Sequence, residues 1–387
     1  MMFHRAFLLG FVSTMCACNL FWATEDHFEE SKTVQLKDAS TLDLPHVSDS
    51  SYVPDEKTSY AVWNTVGIRG FSSGIASTIF LAISGQTPYV AFWDASVGTR
   101  VMRFSEGEWQ NVGIPGFAMG SYPSLVFAGE TLYISFPDSL NGNRARVMCW
   151  GGDAWENVGL PGFSTAGATH ISFAFLDATP YVAFTDEGVS NKLTVMRFNG
   201  GAWENVGTPG FSPAGVFYPS LSFSGVTPHV AFYDASLKKA SAMRFNGSAW
   251  ENLGDPGFSA DTAAEISFKF PYVAYHGDFL RGNKATVKRF QNGFWETVGD
   301  VGFSTGAAIY TSLAFVDDIP YVAYQDGAHG NRATLMRFDG NAWTSIGKLG
   351  FSSGEASYTS LAFAGKTPYV AFQDGSQENK LTVMKFE

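Results

Sequence analysis

The chain has 387 residues, of which 45% are hydrophobic and 16% aromatic, whereas only 16% are charged. A chain of this length buries most of the surface that its unfolded form exposes, and its 41 Gly supply many tight turns. The net charge of −11 argues against a nucleic-acid binder that tracks phosphates, because such a protein presents a basic surface.

Residues 1–23 have the pattern of an export signal. Arg5 precedes an uncharged run from Ala6 to Ala23 that is rich in Leu and Phe, which is a short basic region followed by an apolar one. The run is short and polar for a permanent membrane span. Cys18, preceded by Ala17, partly resembles a lipoprotein processing box, so a free and a lipid-anchored form both stay open. We expect export to the periplasm, the outer membrane or the extracellular space, with membrane contact only through the signal or a lipid anchor.

Residues 24–59 are expected to form an acidic, disordered spacer. Nine acidic residues and three Lys lie between Thr24 and Thr58, with few large apolar residues and no periodicity. Such a segment cannot bury enough apolar surface to offset the entropy lost on ordering.

Residues 60–387 consist of seven copies of one repeat, approximately W-E-N-V-G-x-P-G-F-S, a loop, S-L-A-F-x-G-x-T-P-Y-V-A-F-x-D and K-L-T-V-M-R-F-N-G. A period of this length indicates a solenoid, a propeller or an array. The repeats are 45 to 48 residues apart, measured between the tryptophans that open them: Trp63, Trp109, Trp155, Trp203, Trp250, Trp295 and Trp343.

Each repeat contains four short runs with strand composition, separated by turn residues. The Gly-Gly turn between the third and fourth runs predicts that Phe198 lies opposite Trp203 and Arg197 opposite Glu204. The same reasoning pairs Arg244 with Glu251 and Arg289 with Glu296. We interpret these pairs as structural.

The ends of the array predict how it closes. The array begins with a lone fourth strand around Trp63 and stops after a third strand that ends at Phe386. Pairing these two strands completes the last unit and makes a ring. The sequence therefore predicts an all-β fold, a seven-bladed β-propeller with four antiparallel strands per blade, closed by the N-terminal strand.

One face of this propeller carries the loops that differ between repeats. Second strands end in Asp at six repeats, and Asn-Lys or Asn-Arg opens many third strands, which we interpret as turn devices. The residue before the Asp position varies, as Trp93, Pro137, Thr185, Tyr233, His276, Gln325 and Gln373. A position near the start of the first strand also varies, as Thr78, Tyr122, His170, Tyr218, Glu265, Tyr310 and Tyr358.

These variable positions are the candidate ligand-binding residues. Aromatic rings stack on the C–H face of a sugar, while carboxylates and amides bind its hydroxyls. The alternative is that the tyrosines only wedge neighbouring blades apart. The candidates are Trp93, Tyr122, His170, Tyr218, Tyr233, Glu265, His276, Tyr310, Gln325, Tyr358 and Gln373.

Catalytic and metal-binding signatures are scarce in the sequence. Neither H-E-x-x-H nor G-x-S-x-G occurs, the Cys and His spacings do not suit a metal, and we expect no cofactor. His170, Glu265 and His276 could form an acid–base set, as in propeller lyases, although chance placement explains two separated histidines better.

The segments P-Y-V-A-F-x-D, K-L-T-V-M-R-F and W-E-N-V-G resemble repeats of exported bacterial propellers of the kelch-like and seven-bladed lectin kind. The Gly-Gly doublet of kelch repeats and the Ser-x-Asp-x-Gly-x-Thr-Trp box of sialidases are missing. The resemblance implies a non-catalytic, cell-surface recognition module that binds glycans at blade junctions. The alternative is a scaffold or adhesin that binds a surface protein, and a lyase or hydrolase is the third possibility.

Overall fold

The computed structural model describes residues 61–277 and 282–387. They form seven four-stranded antiparallel sheets, as predicted for a seven-bladed propeller. The predicted export signal and acidic spacer lie outside the described residues. No helix among the described residues is long and apolar enough to cross a bilayer.

The first strand of each blade lies innermost and the fourth outermost, and blades are numbered here by their first strands. Blade 1 contains β2 (Ala76–Ser84), β3 (Thr87–Asp94), β4 (Gly98–Ser105) and β5 (Glu108–Asn111). Blade 2 contains β6 (Ser124–Ala128), β7 (Thr131–Asp138), β8 (Arg144–Trp150) and β9 (Trp155–Asn157). Blade 3 contains β10 (Ala168–Leu176), β11 (Thr179–Asp186), β12 (Lys192–Phe198) and β13 (Trp203–Asn205). Blade 4 contains β14 (Val216–Ser224), β15 (Thr227–Asp234), β16 (Lys239–Phe245) and β17 (Trp250–Asn252). Blade 5 contains β18 (Ala263–Lys269), β19 (Tyr272–Gly277), β20 (Lys284–Gln291) and β21 (Phe294–Thr297). Blades 6 and 7 contain β22 (Ala308–Val316), β23 (Ile319–Asp326), β24 (Arg332–Phe338), β25 (Trp343–Ser345); β26 (Ala356–Ala364), β27 (Thr367–Asp374), β28 (Lys380–Phe386), and β1 (Trp63–Thr65) as the outer strand.

The ring closes through β1 as the sequence predicts. β1 pairs with β28 in antiparallel register, with Trp63 opposite Phe386. Beyond this pair, the backbone groups of Val62 and Glu387 exchange two hydrogen bonds of 2.8 and 3.1 Å. The outer strand of blade 7 is therefore supplied by the other end of the array.

The predicted hairpin register is confirmed. Phe198 faces Trp203 and Arg197 faces Glu204, with 2.7 Å between Arg197 Nε and Glu204 Oε1. Both side chains are about half exposed, so the ion pair adds little stability. Arg289 also lies opposite Glu296 in register, but its guanidinium lies over the ring of Tyr272 instead.

The opening tryptophans join neighbouring blades. Trp203 of blade 3 stacks on Phe163, and its Nε1 donates a 2.7 Å hydrogen bond to the carbonyl of Val158. Phe163 and Val158 both belong to the chain that leads from blade 2 into blade 3. All seven tryptophans repeat this arrangement, with centroids 3.7–4.9 Å apart and hydrogen bonds of 2.7–3.1 Å.

The glycine that follows each W-E-N-V segment makes room for this contact. Gly113 has φ of +80°, and a Cβ added there would lie 2.9 Å from the Trp155 ring. Both the left-handed backbone and the close approach require Gly.

The Asp residues that end the second strands are turn devices, as predicted. Their carboxylates accept a hydrogen bond of 2.9–3.2 Å from the backbone N–H two residues ahead in all six cases. The Asn before the third strand has a left-handed backbone in five blades, which Asn tolerates better than most residues. These repeated residues therefore shape loops.

The apolar core is divided among the interfaces between adjacent blades. At one interface, Leu81 and Val90 of blade 1 pack with Leu381 and Val383 of blade 7. Since every blade is covered on both faces, both sides of its strands are apolar.

We predict that the tryptophan contact carries a large part of the stability. Trp203→Ala should lower the free energy of unfolding by about 3 kcal/mol, because it removes the stack and leaves a cavity. Trp203→Phe should cost only about 1 kcal/mol, because it loses the hydrogen bond to Val158 but keeps an aromatic ring. Denaturant unfolding measures both.

The matched control is Phe294→Ala, since this side chain is 66% exposed at the start of β21. It should change stability by less than about 0.5 kcal/mol. Equal losses for Trp203→Ala and Phe294→Ala would contradict the role given to the tryptophans.

Candidate functional site

A ring of seven side chains surrounds the propeller axis at the face where the first strands begin. In six blades, the register of the first strand shifts at this point by a β-bulge, for example between Thr169 and Ser172. A bulge redirects the side chain that it carries. The ring consists of Thr78, Tyr122, His170, Tyr218, Glu265, Tyr310 and Tyr358.

All seven ring residues have a left-handed backbone, with φ from +49° to +58°. This conformation costs roughly 1–2 kcal/mol for a residue with a side chain, and it is unusual for Tyr, His and Thr. None of the seven is Gly or Asn, so nothing in the sequence signals it. The propeller frame imposes this backbone on whichever residue occupies the position.

The ring encloses an axial pocket of about 500 Å³. Tyr122 and Tyr218 are 48% and 37% exposed, so their rings are accessible from the mouth. His170 lies between them, with centroid distances of 5.3 Å to Tyr122 and 4.9 Å to Tyr218. Tyr310 and Tyr358 meet at 4.7 Å on the other side.

Serines two residues beyond the ring positions also line the pocket. The Ser172 hydroxyl of blade 3 accepts a 2.9 Å hydrogen bond from the N–H of Leu221 in blade 4. Four further serines do the same at other junctions: Ser220, Ser267, Ser312 and Ser360. At five of the seven junctions the edge of an inner strand is thereby joined to the adjacent blade.

Glu265 is the only carboxylate in the pocket lining formed by the described residues. Its Oε2 accepts a hydrogen bond from the backbone N–H of Tyr310. Burial raises the pKa of Glu265 to about 7, although hydrogen bonds from the backbones of Tyr310 and Thr311 act to lower it. Near neutral pH this group can therefore both hold and release a proton.

His276 extends from β19 toward Glu265, with 3.5 Å between His276 Nε2 and Glu265 Oε2. Burial lowers the pKa of both His276 and His170, which favours neutral imidazoles at neutral pH. The Nδ1 atoms of His170 and His276 are buried and have no hydrogen-bond partner among the described residues.

The negative charge of Glu265 also contributes to the pKa of two tyrosines of the ring. Burial raises the pKa of Tyr218, and the negative charge of Glu265 adds to the shift. The pKa of Tyr310 rises to about 12 through burial first, then through the charges of Tyr358 and Glu265. These phenols stay protonated at neutral pH and can donate hydrogen bonds.

The second predicted set lies away from the axis. The Gln325 amide donates a 3.2 Å hydrogen bond to Ser357 of blade 7, and the Gln373 amide bonds to the carbonyl of Ala76 in blade 1. Tyr233 and His276 line a separate cavity between blades 4 and 5, whereas Trp93 and Gln325 lie at other blades. The structure thus brings together six of the eleven sequence candidates around the axis: Tyr122, His170, Tyr218, Glu265, Tyr310 and Tyr358.

Sequence reasoning did not identify the serines of the lining, because they belong to the repeated S-L-A-F segment. It grouped His276 with Glu265 by chemistry, and their proximity follows from strand pairing in blade 5. Among residues 61–277 and 282–387, no group of three or more His, Cys, Asp or Glu could hold a metal ion.

No protein-family model and no curated protein matches the sequence. Among solved structures, the chain is similar to an ulvan lyase of polysaccharide lyase family PL25 bound to -[GlcA(1-4)Rha3S]-, with 12% identity, 83% of this chain and 95% of that chain covered, and a TM-score of 0.53.

It is also similar to the Aleuria aurantia lectin in complex with Fucα1-6GlcNAc, with 12% identity, 74% and 98% coverage, and a TM-score of 0.45. A third similar structure is AofleA from Arthrobotrys oligospora, with 15% identity, 75% and 91% coverage, and a TM-score of 0.47. At these identities the likeness concerns the fold.

We predict that Glu265→Gln stabilises the protein in a pH-dependent way. The folded state keeps the Glu265 proton up to a pKa of about 7, whereas the unfolded chain releases it near the ordinary Glu pKa of 4.5. The stability tied to this proton is therefore complete below pH 4.5 and lost as pH rises to about 7. Above that window, Glu265→Gln should be more stable than the native chain by roughly 2–3 kcal/mol.

Denaturant unfolding across this pH range measures the effect. Glu130→Gln, in an exposed turn, is the control and should leave the pH profile unchanged. A profile for Glu265→Gln parallel to that of the native chain would show that Glu265 has an ordinary pKa.

Proposed function

We propose that this protein is a glycan-recognition module that binds sugar in the axial pocket. The observation that carries the proposal is the ring of residues with a left-handed backbone, which directs four tyrosines, a histidine and a glutamate onto one cavity of about 500 Å³. A pocket of this size holds a sugar unit or two, since ligand sites commonly measure a few hundred Å³.

The pocket chemistry supports this ligand class. Tyr122 and Tyr218 offer accessible aromatic surface for the C–H face of a sugar ring. Glu265, His170 and the tyrosine hydroxyls offer donors and acceptors for sugar hydroxyls. The ulvan lyase with a similar fold was solved with an oligosaccharide bound, so the fold is compatible with this use.

The ring also changes the expected stoichiometry. Binding at blade junctions would give several weak sites, one at each junction. The ring residues instead converge on a single cavity, so we propose one sugar site per chain.

A second candidate function is glycan cleavage. Glu265, with a pKa of about 7, lies 3.5 Å from His276, whose pKa is lowered by burial. A protonated carboxyl and a neutral imidazole are a general acid and a general base poised near neutral pH. This pair is the observation that favours an enzyme.

For the binding function, we predict that Tyr218→Ala weakens glycan binding about fivefold, because one stacking contact is worth ~1 kcal/mol. A glycan array with the full chain identifies the ligand, and calorimetry with that ligand measures affinity and stoichiometry. Trp93→Ala, away from the axis, should retain native affinity. Loss of binding in Trp93→Ala but not in Tyr218→Ala would move the site off the axis, and capture of a surface protein with no glycan bound would support a scaffold.

For the catalytic function, we predict that the native chain shortens the polysaccharide that it binds. His276→Ala should abolish this cleavage. Release of new chain ends measures cleavage, and Glu130→Gln is the control that should stay active. A glycan that binds tightly and is never cleaved would leave recognition as the function.

A further inference from the structure

The seven inner strands are almost without charge. Glu265 is the only Asp or Glu in them and Lys269 the only Lys or Arg, and both lie in β18 of blade 5. Lys269 ends the strand, four residues and roughly 13 Å along the chain from Glu265. It is not part of the axial pocket lining.

Among the described residues, three buried carboxylates elsewhere in the propeller pair with Arg and Glu265 does not, while Asp186 and Asp234 likewise have only uncharged partners. Asp94, Asp138 and Asp374 pair with Arg100, Arg146 and Arg69 at 2.8–2.9 Å. Asp186 accepts from a Thr, and Asp326 from a Thr and a His. Among the described residues, no Lys or Arg forms an ion pair with Glu265, and none lines its pocket.

The other groups that face Glu265 do not neutralise it. They are Tyr218 from β14, His276 from β19, and Tyr310 from β22, with Tyr358 packed behind Tyr310. The tyrosines are neutral phenols, and burial lowers the pKa of His276. The Glu265 side chain is 21% exposed, and a carboxylate that is largely removed from water without a counter-charge is costly, so a cation that enters the pocket gains a partner.

The tyrosines add a second attraction for positive charge. Aromatic rings attract an ammonium group through their quadrupole, and the effect grows when water is excluded. Four tyrosines of the ring lie in the same pocket as the Glu265 carboxylate. Acidic sugars are disfavoured here for the same reason, because no Lys or Arg is among the described residues that line the pocket to pair with a uronate or sulfate.

We propose that the axial pocket selects a ligand group that carries a positive charge, held by the Glu265 carboxylate among the surrounding tyrosines. Resting on the proposed glycan function, the ligand class is a glycan with a free amino group, such as a de-N-acetylated hexosamine. Acetylation of that amine removes its positive charge and adds bulk, so the N-acetylated sugar should bind more weakly.

The test compares glucosamine oligomers with N-acetylglucosamine oligomers of equal length by calorimetry with the full chain. Near neutral pH, where part of Glu265 is ionised and much of the amine keeps its proton, we expect the free amine to bind at least about tenfold more tightly. Glu265→Gln should abolish this preference, and Glu130→Gln should keep it. Because Glu265→Gln is expected to be stabilising, lost binding does not reflect unfolding.

Tetramethylammonium chloride tests the cation site without a sugar. Its charge does not titrate, so its affinity should fall as pH drops through the Glu265 pKa of about 7. Glu265-dependent binding of tetramethylammonium with no binding of either sugar would support the cation site and overturn the glycan function.

Equal affinity for the two sugars, unchanged in Glu265→Gln, would overturn the charge selection and leave the glycan function standing. Binding of none of the three ligands would overturn the cation proposal.

Discussion

The stack of a tryptophan on a phenylalanine at each blade junction is the interaction on which the rest of the structure depends. Each Trp belongs to the outer strand of one blade and holds the chain arriving from the preceding blade, by stacking and by a hydrogen bond to a carbonyl. The contact fixes how neighbouring blades sit against one another. Trp63 makes it at the closing junction, where it stacks on Phe351 at 3.7 Å.

A closed ring of fixed geometry determines what reaches the axis. The inner strands are joined across blade junctions by serine hydroxyls, and a bulge in six of them turns one side chain toward the centre. The left-handed backbone at that position costs energy for Tyr, His, Glu and Thr alike. Because the surrounding frame imposes it seven times, the sequence at this position is free to vary, and its variation sets the chemistry of the pocket.

The repeat made most of the fold predictable. The blade number, the closure of Trp63 on Phe386 and the register of Phe198 on Trp203 all follow from spacing and turn chemistry, and the structure has them. Repetition also marked the Asp residues of the second strands as turn devices. Departures from the repeat pointed to the axial ring. Its position is held by Thr, Tyr, His or Glu in different blades, and such variation is not typical of a residue with one structural role.

The site itself was less predictable. Two variable positions looked alike in the sequence, but the bulge sends one to the axis, while Gln325 and Gln373 at the other are engaged with the next blade. Among the described residues no Lys or Arg pairs with Glu265, and the sequence did not predict this, because Lys269 is only four residues away along the chain. Burial, which sets the pKa of Glu265, has no signature in a single sequence.

The most direct measurement of the central claim is a crystal structure of the full chain with the glycan that it binds best. We predict a sugar ring on the propeller axis, in contact with Tyr218 and within hydrogen-bonding distance of Glu265, at one site per chain. A sugar bound at the outer blade surface, with none in the axial pocket, would contradict it.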